Sequence, residues 1–305
     1  MISTILIAGG TGLVGRKLTE LLHQQGKTVR LLTRTPKGDN QYAWDPARGS
    51  IDERALRGVD VVINLAGAGI ADARWTPARK KLLIDSRVQS TRLLHQTIVK
   101  TGWKPSVYLS ASAIGIYGNS GEELQTENKT IAQGHNRPFM VDCCDQWEKA
   151  VSDIAKEGIR TALFRIGIVL DKNGGALKEI SNPIRFGVAA YFGNGRSWYS
   201  WIHNDDLCNL FIWAAENPAI SGVYNAVAPN PVRNREFVET TATVMNKWAI
   251  PVPTPSFALQ LLLGEMAAVI LNSNRVSAEK LLSANFQFQF PTLKEALTNL
   301  YYPNQ

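Results

Sequence analysis

Three glycines spaced three apart, Gly9, Gly12 and Gly15, stand in the run Ile-Ala-Gly-Gly-Thr-Gly-Leu-Val-Gly at 7–15. Glycine lets a chain turn sharply and lets a ligand approach the backbone with no Cβ in the way. An apolar run at 2–8 precedes the motif, and Leu18, Leu21 and Leu22 follow at helical spacing within 16–25. Strand, glycine turn and helix form the context in which such glycines cradle the pyrophosphate of a dinucleotide. Gly9 would make the turn, Gly12 admit the phosphates and Gly15 let the helix pack on the strand. Thr11, Leu13 and Val14 belong to the same loop and helix start, whose free N–H groups would face the phosphates. A purely structural strand-to-helix turn is the other reading of these residues.

The strand expected at 28–34 ends Leu32-Thr33-Arg34. An acid at this position would hydrogen-bond the ribose hydroxyls of NAD. No Asp occurs between Gly15 and Gly38, and Glu20 lies on the helix. Thr33 and Arg34 instead offer a hydroxyl and a guanidinium, which suit a ribose 2′-phosphate, and Lys37 could add charge. NADP(H) is the expected cofactor, although Arg34 also reads as an ordinary surface arginine.

Further residues carry chemistry with less specificity. Cys143 could serve as a thiol acid or nucleophile near a helix start, or be a small buried hydrophobe. His203 with Asp205 and Asp206 suggests acid–base work, but the spacing matches no metal signature, and no metal is expected. Trp75, Trp198 and Trp201 could line a substrate cleft or pack in a core. Arg74, Arg87 and Arg185 could bind an anionic substrate or lie solvated.

Strands and helices alternate around these residues for over half of the chain. Strands are expected at 59–65, 106–109 and 159–166. Thr76 reads as the N-cap, with Pro77 at the first position, of a helix reaching about Lys100, and Pro138 opens another through Lys156. Such a run predicts an α/β fold, a Rossmann-like doubly wound parallel sheet with ligands at the carboxyl ends of its strands. Beyond Leu170 loops multiply, at 174–177, 192–195 and 200–206. A returning strand follows at 223–227, then a mostly helical tail at 257–282. The expected division is a nucleotide-binding domain at 1–228, with 171–200 contributing to a substrate lobe, and a smaller helical lobe at 229–305.

Composition bounds the function. Of 305 residues, 45% are hydrophobic and 19% charged, a globular balance with enough chain for a sizeable core. The net charge of +7 suits anionic ligands, but no basic run or nucleic-acid motif is present, so no nucleic-acid partner is expected. The longest apolar stretch, 257–271, is interrupted by Gln260, Gly264 and Glu265 and is too short to span a bilayer. Three cysteines give neither a disulfide framework nor metal spacing. With strand one at the very start, no signal peptide is expected, and a cytoplasmic protein with no membrane partner follows.

Several motifs together resemble the extended short-chain dehydrogenase/reductase superfamily, and within it the atypical epimerase family proteins of the YfcH type. They are the glycine loop, Asn64-Leu65-Ala66-Gly67, Arg74-Trp75-Thr76, Ser110-Ala111-Ser112-Ala113 and Gly115-Ile116-Tyr117-Gly118, with 174–177 and 200–206. The tail, Phe257-Ala258-Leu259 and Leu263-Gly264-Glu265-Met266, resembles that group's C-terminal domain of unknown function. The resemblance implies cofactor contacts at Gly9, Thr11, Gly12, Leu13, Val14 and Gly15. It implies others at Thr33, Arg34, Leu65, Ala66, Gly67, Ser110 and Ala111, and at Arg165, Ile166 and Gly167. It also implies a small-molecule substrate in a cleft between two lobes, with Trp75, Trp201 and His203 as candidate contacts, and admits a homodimer.

The departure from the superfamily is equally informative. Its members transfer a proton with a Tyr-x-x-x-Lys pair, the ammonium lowering the phenol's pKa. None of the eight tyrosines here has Lys four residues on, and Phe139 and Cys143 stand where the pair belongs. Arg87 takes the place of an expected Asn. Ser112 matches the family serine, so Ser112, Tyr117 and Cys143 are the candidate catalytic residues. Two function classes remain: an NADP(H)-dependent oxidoreductase or epimerase-like enzyme on a small or nucleotide-linked substrate, or a non-catalytic NADP(H)-binding sensor.

Overall fold

The apolar run at the amino end forms strand β1 (Thr4–Ala8), and the glycine turn leads into helix α1 (Leu13–Gln24). Leu18 and Leu22, one turn apart, put one face of α1 into the core. The computed structural model describes residues 2–129 and 137–303. Five more strands follow in chain order: β2 (Thr28–Thr33), β3 (Gln41–Asp45), β4 (Ser50–Ile51), β5 (Val61–Asn64) and β6 (Val107–Ala113). With strands Arg160–Ile166 and Gly222–Ala226 they make an eight-stranded sheet. Its order is Gly222–Ala226, Arg160–Ile166, β6, β5, β1, β2, β3, β4. The pairs from β6 through β5, β1 and β2 to β3 are parallel, and β4 runs antiparallel to β3.

The chain therefore travels outward from β1 through β2 and β3, then returns to the other side of β1 as β5 and β6. The reversal creates a switch point at the carboxyl ends of β1 and β5, where open α/β sheets place ligands. Helix α2 (Pro77–Thr101) begins as its sequence dictates. The Thr76 hydroxyl accepts the Arg79 N–H at 3.2 Å, Pro77 takes the first turn, and Gly102 (φ 70°) ends the helix. Helix α3 (Phe139–Ala155) starts one residue after Pro138. Strand β6 runs four residues beyond the expected end at Leu109. Its extension, Ser-Ala-Ser-Ala, has no apolar run to betray it, yet Ser110, Ala111 and Ser112 are all buried.

Two compact units arise from this chain, each discontinuous in sequence. The first comprises residues 2–113, 139–165 and 208–224. The second takes the described residues of 114–138, 166–207 and 225–305, so it draws chain from well before residue 228 as well as after it. Its frame is a set of two-stranded pairings: Ile168–Leu170 with Trp201–His203, Val188–Phe192 with Ile250–Thr254, and Trp198–Tyr199 with Val232–Arg233. Around Trp201, Phe237 and Leu297 gathers one core, to which the helices Gly175–Arg185, Asn234–Val244 and Leu293–Tyr301 contribute.

One expectation fails here. The segment 200–206 is not a loop. Strand Trp201–His203 passes directly into the helix Asn204–Glu216. The tail at 257–282 is mostly helical, as expected, but in short pieces. Helix Ser256–Leu263 stops at Gly264 (φ 60°), and Asn272-Ser273-Asn274 breaks the chain before strand Arg275–Val276, which pairs with Leu124–Gln125. Apolar composition alone did not reveal these local stops.

Candidate functional site

Gly9 adopts φ 82°, a left-handed conformation that favours glycine. A Cβ there would lie 2.7 Å from the Leu65 carbonyl carbon and oxygen and 2.9 Å from the Ala66 nitrogen. The turn after β1 is thus pressed against the turn after β5. At Gly15 a Cβ would come within 2.3 Å of the Gly9 oxygen and 2.6 Å of Gly10 Cα, so the first turn of α1 sits directly on the loop. Gly12 differs. Its N–H donates to Gly9 O at 3.1 Å, it is exposed, and a Cβ would touch only the Gly9 oxygen, at 3.3 Å. As N-cap of α1 it supplies no capping side chain, and the first turn (Leu13, Val14, Gly15) holds no acid. An open backbone at the positive end of a helix dipole fits a dinucleotide pyrophosphate. Thr11 is exposed on the same turn, and the Val14 carbonyl accepts the Cys208 thiol at 3.7 Å.

At the end of β2 the Thr33 hydroxyl accepts the Thr35 N–H at 3.3 Å. Arg34 is exposed and makes no hydrogen bond or ion pair among the described residues. Its neighbour on the strand contrasts with it. Arg30 is spent on the carbonyls of Arg54, Ala55 and Arg57.

Asn64, at the end of β5, is fully buried; sequence placed it in a motif but gave it no role. Its amide donates to Thr91 Oγ1 at 3.1 Å and to the Tyr108 hydroxyl at 3.0 Å, and its Oδ1 accepts the Ala66 N–H at 3.1 Å. Burial pushes the Tyr108 phenol up, keeping it neutral. The backbone of Leu65, Ala66 and Gly67 is thereby held at the switch point. A Cβ on Gly67 would lie 3.1 Å from Arg87 Cζ, whose guanidinium donates to the carbonyls of Leu83 (2.9 Å) and Ala68 (3.1 Å) and lies over the Trp147 ring. An asparagine closing an apolar strand was the signal available for this anchor.

Within β6, Ser110 donates to Ala111 O at 3.0 Å. Ser112, 3% exposed, donates to Glu148 Oε1 at 2.7 Å. Glu148 in turn receives Arg165 Nε at 3.0 Å on Oε1 and Nη2 at 2.9 Å on Oε2. The Ser112 hydrogen and the Arg165 fork are therefore committed to one carboxylate on α3. Sequence reasoning missed Glu148, because its partners lie 36 and 17 residues away.

The two α3 residues standing in the tyrosine and lysine positions do apolar work. Phe139 packs edge-on to Trp75, centroids 4.8 Å apart, and the Trp75 indole donates to Ile70 O at 2.9 Å. Cys143 is buried. Desolvation pushes its thiol up, Arg87 opposes that shift, and Asp142 adds to it. A buried protonated thiol is a poor nucleophile, so its surroundings suit the packing reading of Cys143 better than the nucleophilic one.

In the second unit Tyr117 donates to Asn225 Oδ1 at 2.7 Å, and Asn225 donates from Nδ2 to Ser277 O at 3.1 Å. Ile166 precedes Gly167, whose N–H donates to Ala226 O at 3.2 Å and whose Cβ would meet Ser200 O at 2.5 Å. Trp201 is 0% exposed and donates to Asn230 O at 3.1 Å. His203 is buried against Phe290, with Nδ1 accepting the Asp205 N–H at 3.0 Å. These two side chains are core members, with no accessible face to offer a ligand. Asp206 accepts the N–H groups of Gln289 (2.8 Å) and Phe290 (3.0 Å), and its burial raises its pKa. Among the described residues no group of three or more His, Cys, Asp or Glu could hold a metal ion.

Residues 5–227 match the NAD dependent epimerase/dehydratase family, and residues 254–300 match a domain of unknown function, DUF1731. The chain is 36% identical over 302 residues to epimerase family protein YfhF of Bacillus subtilis (strain 168), covering 97% of each chain. Its fold is similar to that of human epimerase family protein SDR39U1 (isoform 2), solved with NADPH. The TM-score is 0.87 at 28% identity, over 99% of this chain and 100% of that one. It is similar also to a nucleoside-diphosphate sugar epimerase from Corynebacterium glutamicum, with TM-score 0.81 and 29% identity, over 100% of this chain and 59% of that one. A sequence match running from β1 through the last strand of the sheet, on a fold whose glycines occupy the switch point, places this chain in the NAD dependent epimerase/dehydratase family.

Proposed function

We propose that this protein binds NADP(H) and uses it for oxidoreduction, or epimerase-like oxidation and re-reduction, of a small or nucleotide-linked substrate. The observation that carries the reading is Arg34, an exposed guanidinium without a partner among the described residues, at the end of β2. That is where a ribose 2′-phosphate would be met, and a guanidinium binds it bidentately. Thr33 adds a hydroxyl. The NADPH held by the human relative supports the same choice.

A bound nicotinamide supplies the hydride. The chain supplies position: the Gly12 backbone and the first N–H groups of α1 for the phosphates, and Asn64 to fix Leu65, Ala66 and Gly67. Ser110 and Ala111 within β6, with Ile166 closing the strand Arg160–Ile166 and Gly167 after it, complete the proposed contacts. Arg165 acts through Glu148, locking α3 to β6. Ser112 has given its hydrogen to Glu148, so it can accept a hydrogen bond from a substrate hydroxyl but not donate one.

The commitments of Ser112 and Tyr117 and the burial of Cys143 favour a second reading, a sensor that binds NADP(H) without turnover. Titration with NADPH and NADH, followed by nicotinamide fluorescence, tests the first step. Loss of one charge-assisted contact in Arg34→Ala should weaken NADPH by roughly 10–100-fold and leave NADH unchanged. Equal affinity for both nucleotides in the wild type would overturn the assignment. Oxidation of NADPH with carbonyl compounds, or conversion of a nucleotide sugar, then separates enzyme from sensor.

A further inference from the structure

Two side chains that sequence analysis left aside, Phe186 and Trp248, are 87% and 82% exposed. They stand together. Phe186 ends the helix Gly175–Arg185, Trp248 precedes strand Ile250–Thr254, and Ile250 N–H donates to Gly187 O at 2.9 Å between them. The strand pair beyond continues the apolar surface. Val188 pairs with Ile250 and Ala190 with Val252, and Val188, Ile250 and Val252 are exposed. The helix Ser256–Leu263 follows, burying Leu259 alone while Phe257 is 73% and Leu262 69% exposed. The first helix of segment 257–271, a segment too short to cross a bilayer, thus presents an exposed apolar side. No helix among the described residues is long and apolar enough to cross.

Charge selects the occupant. Segments 180–192 and 240–263, which contain this surface, hold two charged side chains at neutral pH, Arg185 and Lys247, and no carboxylate. Both cations are exposed, each is next in sequence to one of the exposed rings, and neither side chain has a partner among the described residues. The nearest acids along the chain lie outside: Glu179, Glu265, and Glu239, which is paired with Arg235. Docking a second copy through this face in a two-fold interface would set the patch against itself, bringing four cations together with no anion. An anionic lipid surface supplies the complementary charge, and exposed aromatic rings flanked by Arg and Lys suit the headgroup boundary.

We propose that this face of the second unit, centred on Phe186 and Trp248 with Arg185 and Lys247, docks the protein peripherally on an anionic lipid bilayer. The test is flotation of the full chain with phosphatidylcholine vesicles, alone or containing about one-third phosphatidylglycerol. Binding should require the anionic lipid and fall with salt. Arg185→Gln with Lys247→Gln should weaken it roughly 25-fold, about 5-fold for each cation. Phe186→Ser with Trp248→Ser should abolish it, with an unchanged melting temperature because both rings are exposed. Absence of flotation with either vesicle, equal flotation of wild type and variants, or equal binding to neutral lipid would overturn the proposal. So would a dimer in sedimentation that Trp248→Ser dissociates, which would assign the face to a second copy.

Discussion

Glu148→Leu removes a carboxylate that receives three hydrogen bonds, from Ser112 Oγ, Arg165 Nε and Arg165 Nη2, at 2.7, 3.0 and 2.9 Å. The Arg165 side chain is 4% and the Glu148 side chain 12% exposed, so water screens the pair weakly. Breaking a buried ion pair from one side costs about 3–5 kcal/mol, because a charge stays in a poor solvent. Arg165→Met should cost about the same from the other side. The double variant removes both charges, so its loss should fall short of the summed singles by about 2 kcal/mol or more. Urea unfolding followed by circular dichroism measures all three. With a slope of about 3 kcal/mol per molar, each single substitution lowers the midpoint by about 1 M or more. Singles costing below about 1 kcal/mol, with a double equal to their sum, would mean that water reaches the pair. The network would then not be what joins β6 to α3.

Gly9→Ala places a Cβ 2.7 Å from the Leu65 carbonyl at a φ of 82°. The left-handed backbone costs about 1–2 kcal/mol and the overlap about 1–3 kcal/mol more. Both a lower melting temperature and weaker NADPH binding are expected, and a variant matching wild type in both would contradict the packed turn. Burial raises the Asp206 pKa even though the Gln289 and Phe290 N–H groups hold its carboxylate. The folded chain therefore binds this proton more readily than the unfolded chain. Its contribution to stability is complete below the ordinary aspartate value and is lost as pH rises through the raised one. Asp206→Asn should remove that slope from the stability profile measured from pH 3 upward, and a parallel profile would show that another group carries it.

Much of the site was written in short stretches. The glycine turn, the Thr76 cap with Pro77, and the Thr33-Arg34 strand end each depend on neighbours within a few residues. Such requirements leave residue-specific marks, because a left-handed φ favours glycine and a helix start favours Thr and Pro. Strand β6 past Leu109, by contrast, is made of Ser and Ala. Its burial comes from the sheet around it rather than from its own hydrophobicity. The segment 200–206 misled for a similar reason. Its His, Asn and Asp residues read as loop formers, yet Asp206 is held by backbone donors more than eighty residues downstream.

By itself the sequence determined the α/β fold, the glycine turn with its uncapped helix, the family, and the absence of the tyrosine–lysine pair. These follow from local backbone demands and from residue types that either can or cannot carry a proton. Tertiary structure alone decided that Ser112 spends its hydrogen on Glu148 and that Trp201 and His203 belong to a core. It also decided that the units interleave along the chain, and that the segments bearing the exposed Phe186 and Trp248 lie side by side. Those outcomes depend on which distant segments meet, and the free energy that brings them together is spread over whole packed faces rather than marked on any one residue.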